Sequence, residues 1–287
     1  MTIKEYYRYY LRKLQTIYDL DEASVMAGWV FENKAGLKRS DILKDPELIL
    51  DIDTIEKLNY SLQRLLQHEP VQYILGETWF CNLKLKVNSH VLIPRPETEE
   101  LVDWIIEDNK KENNEKHLSI ADIGTGSGCI AIVLKKKLSA AHLTAIDISK
   151  DALRTAKENA IDNEVKIDFI QLDFLDEPTW ESLNSFDIIV SNPPYIPVNE
   201  KEKLDKNVTL FEPHTALFVP DHSPLLFYEK IALFARKHLK ENGKIYAETH
   251  EEFANATVHV FSKQFQEVEL KQDLLGKNRM VKATHSR

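Results

Sequence analysis

Ser191-Asn192-Pro193-Pro194-Tyr195 is the stretch of this chain whose residue types and spacing are most specific to chemistry. The run before it, Phe186-Asp187-Ile188-Ile189-Val190, reads as a fully buried parallel strand. Neither proline can donate to a sheet ladder, and each pushes the residue before it out of the helical region. The strand therefore stops at Asn192 and leaves by a stiff, extended turn. That turn holds a side-chain amide, the Pro193 carbonyl and the Tyr195 ring around one small space. An amino group there can give one hydrogen to the Asn192 side-chain oxygen and the other to the Pro193 carbonyl. Its lone pair then points away from both acceptors, with the Tyr195 ring against its planar face. Such a space suits alkylation of a planar, weakly nucleophilic nitrogen, an amide or an aromatic amine. Taken alone, the same residues read also as a strand ending in a Pro-rich turn.

Strand ends must position such a set, and the chain supplies a series of them. Apolar runs at 118–123, 143–146, 165–172, 186–190, 244–247 and 268–270 alternate with helical segments that include 129–137 and 149–163. This alternation predicts an α/β, doubly wound, Rossmann-like sheet, whose ligands bind beyond the carboxyl ends of the strands. The first strand ends in Asp122-Ile123-Gly124-Thr125-Gly126-Ser127-Gly128-Cys129. Glycines at spacing two let the backbone turn sharply and approach a ligand closely. A dinucleotide fingerprint places Gly or Ala where Cys129 stands, and an acid this close to the ligand suits a cationic, phosphate-free cofactor better than a pyrophosphate. Asp147 ends the second strand, where a carboxylate can accept from a ribose diol. Nicotinamide and S-adenosylmethionine (SAM) sites share that feature, so it indicates a nucleoside only. At the third strand end, Asp173 can accept from an adenine amino group and Phe174 can stack on the ring. Four strand ends bearing G-x-G-x-G, Asp, Asp-Phe and Asn-Pro-Pro-Tyr read together as one binding site.

The first part of the chain has a different texture. Residues 2–68 carry helical spacing, opening with a capping box in which Thr2 is the N-cap and Glu5 lies three residues on. Tyr6, Tyr10, Leu14 and Ile17 follow at helical intervals. A second helix is expected from about Asp21 to before Gly36, presenting Val25, Met26, Trp29 and Val30 to a core. Residues 1–75 are thus expected to form a small helical bundle without chemistry of its own. Residues 76–95 are expected to form a β-hairpin linker, with 79–87 as one strand, Asn88-Ser89 as its turn and Val91-Leu92-Ile93 returning. The third domain, 96–287, opens with Pro96-Glu97-Thr98-Glu99-Glu100 at the head of a helix, after Arg95, a cation pinned between prolines. A polar connector is expected at 107–117.

The chain has 287 residues, 43% of them hydrophobic, and a net charge of −9. Residues 91–287 carry 25 basic against 33 acidic side chains, which offers no basic face for a phosphate backbone. No apolar run approaches the ~18–20 residues of a membrane span. The first residues lack the apolar core of a signal peptide, and Cys81 and Cys129 lie far apart in sequence. These features point to a reducing, cytoplasmic setting. The ten histidines are scattered and His250-Glu251-Glu252 lacks the second His of a zinc-protease helix, so no metal site is expected.

Residues 118–195 resemble class I SAM-dependent methyltransferases, and Asn192-Pro193-Pro194-Tyr195 resembles the motif of those that methylate amide or exocyclic amino nitrogens. Four further stretches are similar to the HemK/PrmC family of release factor glutamine methyltransferases. They are Glu69-Pro70-Val71-Gln72-Tyr73-Ile74-Leu75-Gly76, Leu92-Ile93-Pro94-Arg95-Pro96-Glu97-Thr98-Glu99, Phe211-Glu212-Pro213 with Ala216-Leu217, and Gly276-Lys277-Asn278-Arg279. General amino-methyltransferases lack the Pro-Arg-Pro-Glu-Thr-Glu stretch. The resemblance implies a helical N-terminal domain for substrate docking, a hairpin linker and a SAM-binding domain. It implies methylation of the glutamine N5 in the Gly-Gly-Gln loop of peptide chain release factors. Asp122, Gly124, Thr125, Gly126, Ser127, Gly128, Asp147, Asp173, Phe174 and Asn192 are then the cofactor residues. Asn192, Pro193, Pro194, Tyr195 and Arg95 are then the substrate residues. Of these, Asn192, Pro193 and Tyr195 are assigned to catalysis. Two departures from the family pattern bear on the substrate groove: Phe218-Val219-Pro220 and Thr249-His250-Glu251-Glu252.

An amide nitrogen is a poor nucleophile because its lone pair is delocalised. The site should therefore work by orienting the amide and accepting hydrogen bonds that strengthen as N–H acidity develops. No general base is expected. A methyltransferase acting on adenine or rRNA shares these motifs but should bring a basic target-recognition region, and another glutamine protein is a further alternative substrate. A nicotinamide oxidoreductase fails at Cys129 and leaves 192–195 unexplained. A non-catalytic binding module would have lost one of the motif residues. Direct nucleic-acid and membrane contacts are not expected, and a monomer is favoured.

Overall fold

The structure, a computed structural model, describes residues 1–110 and 117–286. The expected connector at 107–117 falls mostly on 111–116, outside the described residues. The chain divides into two compact units, one of Met1–Glu77 with Asp205–Phe211, the other of Thr78–Leu204 with the chain from Glu212 onward.

The first unit is helical: α1 (Ile3–Leu14), α2 (Leu20–Ala35), α3 (Arg39–Lys44), α4 (Ile52–Leu65) and α5 (Val71–Leu75). The capping box forms as expected, with Glu5 N donating to Thr2 and Thr2 N to Glu5. Tyr6, Tyr10 and Leu14 are buried around Phe31, whereas Ile17 lies beyond the end of α1 and is exposed. In α2, Met26 and Val30 enter the core, but Val25 and Trp29 stay about half exposed, so the apolar stripe is narrower than expected.

Strand β1 (Glu77–Phe80) begins at the boundary between the units and pairs with β2 (Leu83–Lys86). The turn falls at Cys81 and Asn82, both at positive φ (46° and 62°), as a two-residue hairpin turn requires. The hairpin therefore turns inside the run expected to be a single strand. Residues 88–93, expected as turn and return strand, form no strand.

After α6 (Pro96–Asn109) come β3 (Ser119–Ile123), α7 (Cys129–Lys137), β4 (His142–Asp147), α8 (Lys150–Asp162), β5 (Asp168–Gln171) and β6 (Phe186–Ser191). A short parallel pair, β7 (Ile196–Pro197) and β8 (Phe218–Val219), flanks α9 (Lys206–Phe211), which belongs to the first unit. Then follow α10 (Leu226–His238), β9 (Leu239–Glu248), α11 (Ala254–Ser262), β10 (Phe265–Gln272) and β11 (Asn278–Ser286). The main sheet has the order β10-β11-β9-β6-β3-β4-β5, with only β11 running against its neighbours. Alternate residues feed two cores. Ile120 and Ile188 pack with α6 and α7, while Ala121, Ile123 and Ile189 pack with α10 and α11. The chain leaves β3 toward β4 and β5, then returns to β6 on the other side of β3, so β3 and β6 flank the topological switch point. No helix among the described residues is long and apolar enough to cross a membrane.

Candidate functional site

The carboxyl ends of β3, β4, β5 and β6 surround a cavity of about 340 Å³. Gly124, Gly126, Asp147, Asp173, Phe174, Asn192, Pro193 and Pro194 all line it. Asp122, Thr125, Ser127, Gly128, Tyr195 and Arg95 are not among the residues that line it.

Gly124 and Gly126 adopt φ of +73° and +55°, and a Cβ on either would meet no atom within 4 Å. The positive φ requires glycine there, and the missing side chains leave backbone facing open space. Gly128 serves a different purpose: a Cβ on it would lie 3.1 Å from the side chains of Ala156 and Ile132. It lets α7 start close against α8. Ser127 is buried, and its carbonyl accepts from Asn159 Nδ2 at 2.9 Å.

Asp122 is fully buried at the end of β3. Its Oδ2 accepts from Thr125 Oγ1 at 2.6 Å and from the Ala131 amide at 3.3 Å. Its Oδ1 is buried with no hydrogen-bond partner among the described residues. Burial pushes this carboxyl up to about 7. Asp147 accepts from the Gly126 amide at 2.9 Å through Oδ2 and from the Ser149 amide at 2.8 Å through Oδ1. Burial raises its pKa above the ordinary carboxylate range, against those backbone bonds. Asp173 is exposed and caps its own turn, accepting from the Leu175 amide at 2.9 Å. The Phe174 ring is buried, tilted on Trp180 at 5.2 Å and edge-on to Phe234 at 5.3 Å, which fixes the part of it that reaches the cavity.

Strand β6 stops at Ser191, and no backbone N–H among the described residues donates to the Pro193 carbonyl. Asn192 Nδ2 donates to Thr98 Oγ1 at 3.0 Å. Thr98 in turn donates to Glu248 Oε2 at 2.6 Å, and the Tyr195 hydroxyl donates to Glu248 Oε1 at 3.3 Å. Burial, followed by the Glu248 charge, raises the Tyr195 phenol well above its ordinary value. Arg95 pairs with Glu212, whose other oxygen accepts from the Ile93 amide at 3.3 Å. The departures from the family pattern also sit here. Phe218 and Pro220 line the cavity, and the His250 ring lies 5.9 Å from Tyr195.

Two family profiles match the chain: the PrmC N-terminal domain over residues 5–76 and the Methyltransferase small domain over 105–212. The release factor glutamine methyltransferase of Flavobacterium psychrophilum is 46% identical over 98% of this chain and 99% of its own length. The chain belongs to the release factor glutamine methyltransferase family. The member from Bacteroides thetaiotaomicron is 37% identical over 96% of this chain and 97% of its own. For the fold alone, the T. thermophilus 16S rRNA methyltransferase in complex with AdoMet and guanosine is 13% identical with a TM-score of 0.51. That likeness covers 73% of this chain and 49% of that one.

The cofactor of a release factor glutamine methyltransferase is SAM, and the residues present fit it. The cradle at Gly124 and Gly126 is open, and Asp147 stands in the cavity wall at the second strand end, while Asp122 holds the loop from behind through Thr125 and the Ala131 amide. Asp147 and Asp173 line the cavity and, among the described residues, no lysine or arginine does, which favours a cationic ligand. Within the described residues, no cluster of side chains could hold a metal ion.

Thr98, Asn159, Glu212 and Glu248 support this site without being evident from the sequence. Thr98 and Glu212 lie inside the family-like stretches Leu92–Glu99 and Phe211–Pro213, and that motif membership is their one sequence signal. Asn159 sits mid-helix and fully buried. It accepts from the Lys86 amide at 2.6 Å and donates to the Lys86 carbonyl at 3.0 Å, pairing β2 as a strand would. A mid-helix Asn gives no such signal in sequence.

Proposed function

We propose that this chain transfers the methyl group of SAM to the side-chain amide nitrogen of a glutamine, the N5 of the Gly-Gly-Gln loop of peptide chain release factors. Gly124, Gly126, Asp147, Asp173 and Phe174 hold the cofactor, with Asp122 behind the loop. When bound, SAM supplies an electrophilic methyl on a sulfonium. Asn192 Oδ1 and the Pro193 carbonyl each accept one hydrogen of the substrate NH2, which orients the nitrogen and turns its lone pair toward the cofactor side. Pro194 makes the turn rigid, and Tyr195 braces it from behind through Glu248. As the nitrogen begins to bond, its hydrogens become more acidic and both acceptor bonds strengthen. The proton is lost after transfer, when the nitrogen is cationic and readily deprotonated by water. Arg95 acts on the substrate side indirectly, by fixing residues 93–95 to Glu212.

The observation behind this reading is that Asn192 lines the cavity while its amide nitrogen donates to Thr98, so the side-chain oxygen is the end left without a protein partner there among the described residues. The helical unit supplies docking surface for the release factor, the setting is cytoplasmic, and the chain acts as a monomer. Incubation with labelled SAM and a panel of release factor, RNA, DNA and free glutamine tests the reading. The label should appear on the glutamine of the Gly-Gly-Gln peptide. Label on nucleic acid and none on release factor would overturn it.

A further inference from the structure

A side-chain amide has two ends of nearly the same shape, and nothing in Asn192 itself decides which end faces the reacting nitrogen. An oxygen there accepts from the substrate NH2 and orients it, whereas an NH2 there would meet donor with donor. The hydrogen-bond chain behind Asn192 supplies the decision. We propose that Glu248, acting through Thr98, is a positioning residue that holds the Asn192 carbonyl, rather than its NH2, toward the reacting amide; the proposal rests on the methyl-transfer reading above.

A carboxylate accepts and cannot donate. Glu248 lies at the end of β9, 2% exposed, and its two oxygens take separate donors, Tyr195 on one side and Thr98 on the other. The Tyr228 hydroxyl donates to the Glu248 backbone carbonyl at 3.1 Å and fixes the backbone from which the carboxylate projects. Thr98 is also 2% exposed and has a single hydroxyl proton. At 2.6 Å from Glu248 that proton is committed to the carboxylate, so Thr98 can offer Asn192 only lone pairs. It must accept from Nδ2, and Oδ1 is left for the cavity. Remove the charge, and the Thr98 proton can turn to Asn192 and favour the opposite orientation. Burial lifts the Glu248 carboxyl to about 7, with Glu97 on α6 adding to the rise and Arg279 on β11 opposing it. This places Thr98, at the head of α6, and the last residue of β9 in one device that reaches the active turn after β6.

The test uses the full chain and two readouts. The first is kcat for release factor beside the SAM Kd from calorimetry, in Thr98→Val, Thr98→Ser, Glu248→Gln and the Thr98→Val/Glu248→Gln double variant. Thr98→Val should lower kcat about tenfold or more with little change in SAM affinity, and Thr98→Ser should restore it. Glu248→Gln should lower kcat on its own but add nothing on top of Thr98→Val, since its effect passes through the hydroxyl. Wild-type kcat in Thr98→Val would overturn the proposal. The second readout needs neither cofactor nor acceptor: the side-chain 15N amide signal of Asn192. It should move in Glu248→Gln when Thr98 is present and stay put in the Thr98→Val background. A signal that ignores Glu248→Gln, or follows it equally without the hydroxyl, would overturn the coupling. If no acceptor is methylated by the wild-type chain, the function reading fails while this signal still decides the inference.

Discussion

The Gly126 amide donates to the Asp147 carboxylate at 2.9 Å, which fastens the glycine loop after β3 to the end of β4. Asp147 therefore serves both as an acceptor in the cavity wall and as the peg of the loop. Asp147→Ala should weaken SAM binding by about 2–4 kcal/mol, since a charged acceptor is lost and the loop is freed with it. Calorimetry reads this directly, and an unchanged affinity would remove Asp147 from the site.

Asn159 closes the other side of the loop. Its side chain makes three backbone hydrogen bonds, two to Lys86 and one to Ser127, in full burial. Asn159→Ala leaves those groups unsatisfied and should cost about 2–4 kcal/mol of stability in urea unfolding. SAM affinity should fall with it because Ser127 belongs to the loop. A variant as stable as the wild type would show that the staple carries no load.

These two residues mark what sequence can and cannot carry. The place of Asp147 in the cavity wall was legible because its apolar run ends there, and the doubly wound class was legible from the alternation of apolar runs and helices, whereas the strand order was not. The stop imposed by the two prolines was legible to within one residue, since β6 ends at Ser191 where Asn192 was expected. The hairpin turn was misplaced because Cys81-Asn82 lacks the glycine that usually marks such a turn, and the positive φ of both residues shows only in three dimensions. Strand β11 was not read, because it lies inside the sheet between β9 and β10 and its sequence is rich in polar residues. The partners of Asn192 were beyond reach for a different reason. Thr98 and Glu248 lie 94 and 56 positions from it, and only the packing of α6 and β9 against the β6 turn brings them together.

Arg95 and Glu212 form an ion pair whose carboxylate side chain is 2% exposed. Arg95→Met leaves that charge buried with the Ile93 amide alone and should destabilise the fold by about 3 kcal/mol. Arg95→Met with Glu212→Gln should recover part of the loss, because no unpaired charge then remains. Urea unfolding of both variants checks this, and equal losses in the two would remove the pair from the account.

Turnover should rise as pH passes upward through about 7, because the Glu248 pKa is lifted to about 7 and only the ionised carboxylate accepts from both Thr98 and Tyr195. The groups that face it are Glu97, Tyr195, Tyr228 and Arg279. The stability effect has the opposite sign. The folded carboxyl keeps its proton above the ordinary glutamate range, so its stabilising contribution is fullest at low pH and is lost as pH climbs toward 7. Glu248→Gln should flatten both profiles. A pH–rate profile for Glu248→Gln that keeps the wild-type limb would assign that limb to another group.

In the proposed reaction, Asn192 and the Pro193 carbonyl orient the amide that is methylated. Asn192→Ala removes one of the two acceptors and leaves the glycine loop and Asp147 in place. Single-turnover transfer to the release factor glutamine, followed by mass spectrometry beside SAM calorimetry, separates transfer from binding. SAM affinity should stay close to wild type while the transfer rate falls by about 100-fold or more, the loss expected for one preorganised transition-state partner. Near-normal transfer by Asn192→Ala would contradict that orienting role.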